Sequence, residues 1–224
     1  ECDPTDRTSS TVGIVLHQDA AFFETRVLGN NRTPIRHSFL MWQNAAVPVN
    51  DEYQFIFPPD VNYVNNHYSM RKPPMTYPIA EGVYASAYYD EPTDISWYKN
   101  CFHATSHFAA PSKYDFFGGY DHGKKCGIIH VADHHVSPGK KMFTWGCGEL
   151  AESWEKALTD ADGRYCELMA GSYSNNQPDF TWLNPYETKC FSEFWYPIGA
   201  VGKTSFATLD AAATVVLGEG ILRV

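Results

Sequence analysis

The amino-acid sequence predicts an all-β, mainly antiparallel fold with long loops and one short helix. Runs rich in β-branched and aromatic residues recur along the chain, clusters of Gly, Asn, Pro and Asp separate them, and a single stretch carries a helical period. The first runs, 11–17 (TVGIVLH) and 21–28 (AFFETRVL), have the composition of strands. The turn cluster GNNRTP leads from the second into 35–49 (IRHSFLMWQNAAVPV), an antiparallel partner. Residues 50–111 are rich in Pro, Asn and Tyr with weak periodicity, the texture of long loops that carry or cover a site. Strand signals return at 114–118 (YDFFG), 126–132 (CGIIHVA), 140–146 (KKMFTWG), 164–171 and 187–196. The helix falls in GELAESWEKALTD, where Leu150, Trp154 and Leu158 recur every four residues. From Gly199 the chain changes to small residues, read as a linker and the first strands of a following β domain over 199–224, behind one domain over 1–198.

Composition narrows the function. With 224 residues, 44% hydrophobic and 19% charged, the chain can bury a sizeable core. A net charge of −9 argues against nucleic acid and against an anionic membrane surface as partners. The chain has no apolar stretch of membrane-spanning length. Six scattered cysteines without a CxxC pair read most simply as free thiols in a reducing, cytoplasmic compartment, while their even number leaves disulfides and a secreted or periplasmic location as alternatives. The start at Glu1, without methionine or leader, reads as a piece of a longer protein. Aromatics make up 15% of the residues, many beside Asn, Asp, His or Gly. That mixture suits stacking against sugars, although Tyr and Trp also fill β cores with their polar ends satisfied.

One acid stands out. If YCELMAG (165–171) is a strand, Cys166, Leu168 and Ala170 share one face, and Tyr165, Glu167 and Met169 the other. A carboxylate there needs solvent, a partner or a cleft.

Motifs place that acid in a wider pattern. CELMAGSYSNNQPDF, WLNPYETK and CFSEFWYPI resemble the end of the galactose mutarotase (aldose 1-epimerase) domain, where a strand ending in Leu-Glu is followed by a Pro-Asp loop, an L-x-P-x-E turn and a last strand. GYDHGKKCGIIHVAD resembles the Tyr-Asp-His stretch of that family, SPGKKMFTWG its Pro-Gly-x-Gln-x-Tyr-Thr strand, and TPIRHSFLMWQN its Asn-His-x-Tyr-Phe-Asn strand. From about residue 11 to 198 the chain is still more similar to an uncharacterised bacterial domain family found ahead of tetratricopeptide repeats, with phrases such as SFLMWQNAAVPVND, FFGGYDHG, HVADHHVSPGKK, LTDADG, ELMAG and NQPDF.

The resemblance implies a mutarotase-like β supersandwich lacking its N-terminal strands, neighbouring helical-repeat domains, and a mono- or oligosaccharide ligand handled without a cofactor. It implies Glu167 as the base that takes the anomeric proton and His37 as the acid at the ring oxygen. Asp121 would hold sugar hydroxyls, with His122, His134, Asp179 and Lys141 as further substrate-binding residues and Trp42, Trp145 or Trp182 as stacking faces. Two substitutions depart from the family pattern: Lys141 stands at its glutamine and Arg36 at its asparagine.

Other chemistries find less support in the residues. The cluster HVADHH offers His130, Asp133, His134 and His135 as metal ligands, but lacks a strict ligand spacing and reads as a hydrogen-bonded turn beside a sugar pocket. No GxSxG elbow or Gly-rich phosphate loop occurs. A glycoside-cleaving enzyme would pair Glu167 with Asp121 or Asp179. A non-catalytic glycan-binding module is the remaining alternative.

Overall fold

The computed structural model describes residues 2–66, 74–84, 87–173, 181–218 and 221–224. Strands β1 (Thr8–Leu16) and β2 (Phe23–Asn31) form the first hairpin, with Val12 opposite Val27. The run over 35–49 divides into β3 (His37–Phe39) and β4 (Trp42–Pro48). The stretch read as loop contains β5 (Tyr53–Ile56), β6 (Tyr63–Asn65), β7 (Met75–Thr76), β8 (Ile79–Tyr84), β9 (Ala87–Asp94) and β10 (Thr105–Ala109). Then come β11 (Phe116–Asp121), β12 (Cys126–Val131), β13 (Gly139–Thr144), helix α1 (Glu149–Leu158), β14 (Tyr165–Gly171), β15 (Thr181–Leu183) and β16 (Thr188–Ile198). Two short pairs end the chain, β17 (Phe206–Ala207) with β18 (Ala212–Ala213) and β19 (Val216–Gly218) with β20 (Ile221–Arg223).

Two six-stranded sheets carry the fold, β1-β2-β16-β12-β11-β5 and β4-β14-β13-β10-β6-β7. All their pairings are antiparallel. They face each other across one apolar core, to which the first sheet contributes Phe55, Phe117 and Trp195, and the second Val64, Ala109, Met142, Leu168 and Ala170. Truncating a buried aromatic there, such as Phe117, would cost about 3–5 kcal/mol.

Strands covered on both sides lose the alternation by which sequence reveals a half-buried strand. β5, β10 and β11 are buried at every position. In β10, His107 points inward against the rings of Phe55, Tyr77 and Tyr84, while Phe108 points outward. Part of the outer face of the first sheet, over β5, β11, β12 and the end of β16, is covered by the chain's own tail. Ala207 joins Ile56, Phe116, Tyr120, Ile129 and Ile198 in a second cluster, and the Tyr196 hydroxyl donates to the Thr208 carbonyl at 2.7 Å. Residues 206–213 therefore pack as part of the sandwich, whereas the β19–β20 hairpin is exposed. All six cysteines are free. No described helix is long and apolar enough to cross a membrane.

Candidate functional site

Register fixes which side chains share the outer face of the second sheet. Glu167 lies opposite Ala46 on one side and Phe143 on the other; Met169 lies opposite Asn44 and Lys141, and Lys141 opposite Phe108. That face therefore carries Trp42, Asn44 and Ala46 from β4, Glu167 and Met169 from β14, Lys141 and Phe143 from β13, and Ser106 and Phe108 from β10. The opposite parity supplies the core, as alternation in YCELMAG predicts.

Glu167 is half-buried, and its carboxylate accepts a hydrogen bond from the Asn44 amide at 2.9 Å. Burial raises its pKa above the ordinary carboxylate value, and the Asn44 hydrogen bond offsets part of the rise. Asn44 and Ala46 are exposed, so the face is open beside the acid.

Lys141 is 0% exposed. Its ammonium lies 3.4 Å from the ring centre of Trp42, 3.9 Å from that of Tyr173 and 4.7 Å from that of Phe108. Burial pulls its pKa down to about 6, while the negative faces of three rings act in the opposite sense and favour the cation.

Beyond Glu167 the face becomes an aromatic shelf. The Trp145 indole donates to the Tyr165 hydroxyl at 3.2 Å and meets Phe143 edge-on at 5.0 Å. Trp154 of α1 stacks on Trp145 at 4.2 Å, nearly parallel at 14°. Gly146 permits this arrangement: its φ of +86° suits glycine, and a Cβ there would stand 2.6 Å from the Phe102 carbonyl oxygen. The four-residue spacing locates α1 correctly, but the stripe it marks faces outward. Leu150, Trp154 and Leu158 are exposed, and Ala151 is buried. Asn44, Phe143, Tyr173 and Trp154 did not emerge from the sequence. Alternation in WQNA could have put Asn44 on the face of Trp42, whereas Trp154 reaches Trp145 only through the tertiary turn.

The remaining sequence candidates are placed elsewhere. His37 and Trp182 belong to the β3–β15 ribbon, where the His37 ring bonds the Thr33 hydroxyl at 3.0 Å and the Arg36 guanidinium lies 4.4 Å over Trp182. Asp121 ends β11 in the first sheet. It accepts from the Asn50 amide at 2.6 Å and from the Lys124 backbone N–H at 2.8 Å, which ties the hairpin turn. His122 bonds Gln54 at 3.0 Å and packs on Trp97 and Tyr120. His134 sits in the β12–β13 connection, bonded to Asp115 at 2.7 Å, with its ring tilted against that of His135 at 3.9 Å. Asp133, His134 and His135 bring one donor atom each within 4.8 Å of one another, close enough to share a cation. Asp179 lies outside the described residues. The structure thus places Glu167, Lys141, Trp42 and Trp145 along one face, with Trp42 and Trp145 toward its opposite ends, and leaves His37, Asp121, His122, His134 and Trp182 apart from them.

Comparison with known proteins accords with this architecture. The structure resembles a TPR-domain containing protein from Parabacteroides distasonis ATCC 8503, with a TM-score of 0.68 and 23% identity over 85% of this chain and 30% of that one. It also resembles a galactose mutarotase-like protein from Lactobacillus casei ATCC 334, with a TM-score of 0.54 and 10% identity over 87% of this chain and 64% of that one. A galactose mutarotase related enzyme from Lactobacillus acidophilus matches with a TM-score of 0.53 and 9% identity, over 89% and 64%. The chain spans less than two thirds of each of these proteins, and identities this low establish the fold, a mutarotase-like all-β sandwich. A family model matches residues 1–198, and the chain belongs to that family, Domain of unknown function (DUF5107).

Proposed function

We propose that this domain binds a sugar on the outer face of the second sheet and acts at its anomeric centre by acid–base chemistry, with Glu167 as the base. The observation that carries this reading is Glu167 itself: half-buried, raised in pKa, held by Asn44 and set opposite Phe143 on a face that carries further aromatic rings. A general base works best with a pKa near the operating pH, and partial burial moves a carboxylate that way. The likeness to proteins named for galactose mutarotase supports a sugar ligand, and the likeness to a TPR-containing protein supports helical-repeat neighbours.

Glycoside cleavage needs a second carboxylate about 5–9.5 Å from the first. Glu167 is the only carboxylate among the described side chains of this face, which favours hemiacetal chemistry. A second reading, a glycan-binding module without turnover, draws support from Trp154, which is 37% exposed on top of Trp145.

A panel of aldoses and short glycosides, followed by NMR with the protein and its Glu167→Gln variant, separates these readings. Accelerated exchange between anomers that disappears in the variant supports acid–base catalysis. New anomeric signals would indicate cleavage, saturable binding without exchange would indicate a binding module, and no interaction with any sugar would remove the proposal.

A further inference from the structure

We propose that Lys141 is the acid of this site, donating a proton to the ring oxygen of the sugar while Glu167 takes the proton of the anomeric hydroxyl. The inference rests on the reading of Glu167 given above and deepens it.

Its basis is the register. Lys141 pairs with Met169, and Glu167 pairs with Phe143, so the two charged residues are diagonal neighbours on one face. Diagonal positions of an antiparallel pair lie about 7–8 Å apart, a gap that one sugar ring can span. Glu167 and Lys141 are the only Asp, Glu, His, Lys or Arg residues among the described outward-facing positions of β4, β14, β13 and β10. The histidine expected to supply the acid points its ring at Thr33, with Asp6 3.9 Å from its other nitrogen.

The surroundings of Lys141 also suit proton transfer. Among the described residues, the titratable groups that face it include the Tyr173 phenol, raised in pKa by burial, and Glu167 across the diagonal; β4 and β10 bring the rings of Trp42 and Phe108. Burial favours the amine and the rings favour the ammonium, which brings the two forms close in free energy. The four-carbon stem lets the nitrogen move from the cage toward a bound ring, and catalytic contacts commonly tighten only in the complex.

The step balances without another reactant. The C1–O5 bond breaks, and its electron pair stays on O5, which takes the proton of Lys141. The proton on O1 passes to Glu167 as C1 becomes a carbonyl carbon. After rotation about C1–C2, the Lys141 amine takes back the O5 proton, C1–O5 re-forms, and Glu167 returns its proton to O1.

The test is anomer exchange measured by NMR across a pH series for the protein, Lys141→Arg, Lys141→Met and His37→Gln. Arginine keeps the charge but does not give up its proton. Both Lys141 variants are expected to lose exchange by about 100-fold, and His37→Gln to stay within about two-fold. The alkaline limb of the wild-type profile should be absent from what remains in Lys141→Arg. Exchange that needs Glu167 but survives both Lys141 substitutions overturns this proposal and leaves the Glu167 reading intact; sugar binding with no exchange in the wild type overturns both. Should neither variant fold, the carbon-13 signal of the Lys141 ε-methylene in the wild type decides: it is expected to shift when the exchanging sugar is added, and constancy overturns the role.

Discussion

Two glutamates in neighbouring apolar stretches, Glu167 in YCELMAG and Glu193 in FSEFWYPI, have opposite environments. Glu193 faces the interior of the sandwich from β16 and is 0% exposed. One carboxylate oxygen accepts from the Ser137 hydroxyl, and His130 lies 3.6 Å from the other. The same Ser137 hydroxyl also reaches the Gly171 carbonyl at 3.0 Å, which links β14 to the cluster. Glu167 faces outward and has one amide partner beside an exposed edge. An acid inside an apolar strand is therefore interpreted by what covers it: the interior one is engaged in holding the two sheets, and the outer one is available to a ligand.

The largest effect expected from this contrast is on stability. Glu193→Ala takes away the buried carboxylate that accepts from the Ser137 hydroxyl and leaves that hydroxyl only the Gly171 carbonyl, so it should lower the unfolding free energy by about 1–3 kcal/mol, measured by urea denaturation. A cost below about 1 kcal/mol would mean that the interior acid is dispensable.

The interior should also respond to acid. Burial among rings pulls the His107 pKa from 6.5 to about 3. The unfolded chain then takes up a proton that the folded chain does not, so stability rises with pH between these values and is lost as pH falls from about 6.5 toward 3. Its slope reaches about 1.4 kcal/mol per pH unit, and a His107→Gln variant should show a flatter pH dependence in thermal melts.

On the outer face the effects concern ligands. Trp154→Ala should weaken sugar binding about five-fold by calorimetry and barely change the melting temperature, because its ring is exposed above Trp145. The smallest effect belongs to Asn44→Ala. Removing the hydrogen bond that offsets part of the rise in the Glu167 pKa should move the acidic limb of the pH–rate profile to higher pH.

Much of the sandwich was legible in the sequence. The strands at 126–131, 139–144 and 165–171 lie within two residues of their sequence-read bounds, because turn residues punctuate them and their runs are compact. β5 and β10 were hidden because tertiary cover on both sides removes alternation. Glu167 was legible through alternation and motif. The same alternation sets Glu193 beside Phe191 and Trp195, but nothing local shows that this face is sealed. The Lys141 cage was not legible, since Trp42, Phe108 and Tyr173 converge from β4, β10 and the segment after β14. His37 followed a motif match, whereas its ring is held by a turn that only the fold reveals.

The most direct test of the contrast places Glu167→Ala and Glu193→Ala side by side in two assays, NMR anomer exchange with a sugar that the wild type turns over and thermal unfolding. The account predicts that Glu167→Ala loses exchange and melts within about 2 °C of the wild type, while Glu193→Ala melts well below it. A Glu167→Ala protein that keeps full exchange, or that melts as early as Glu193→Ala, would contradict the claim that the outer glutamate is held for a ligand.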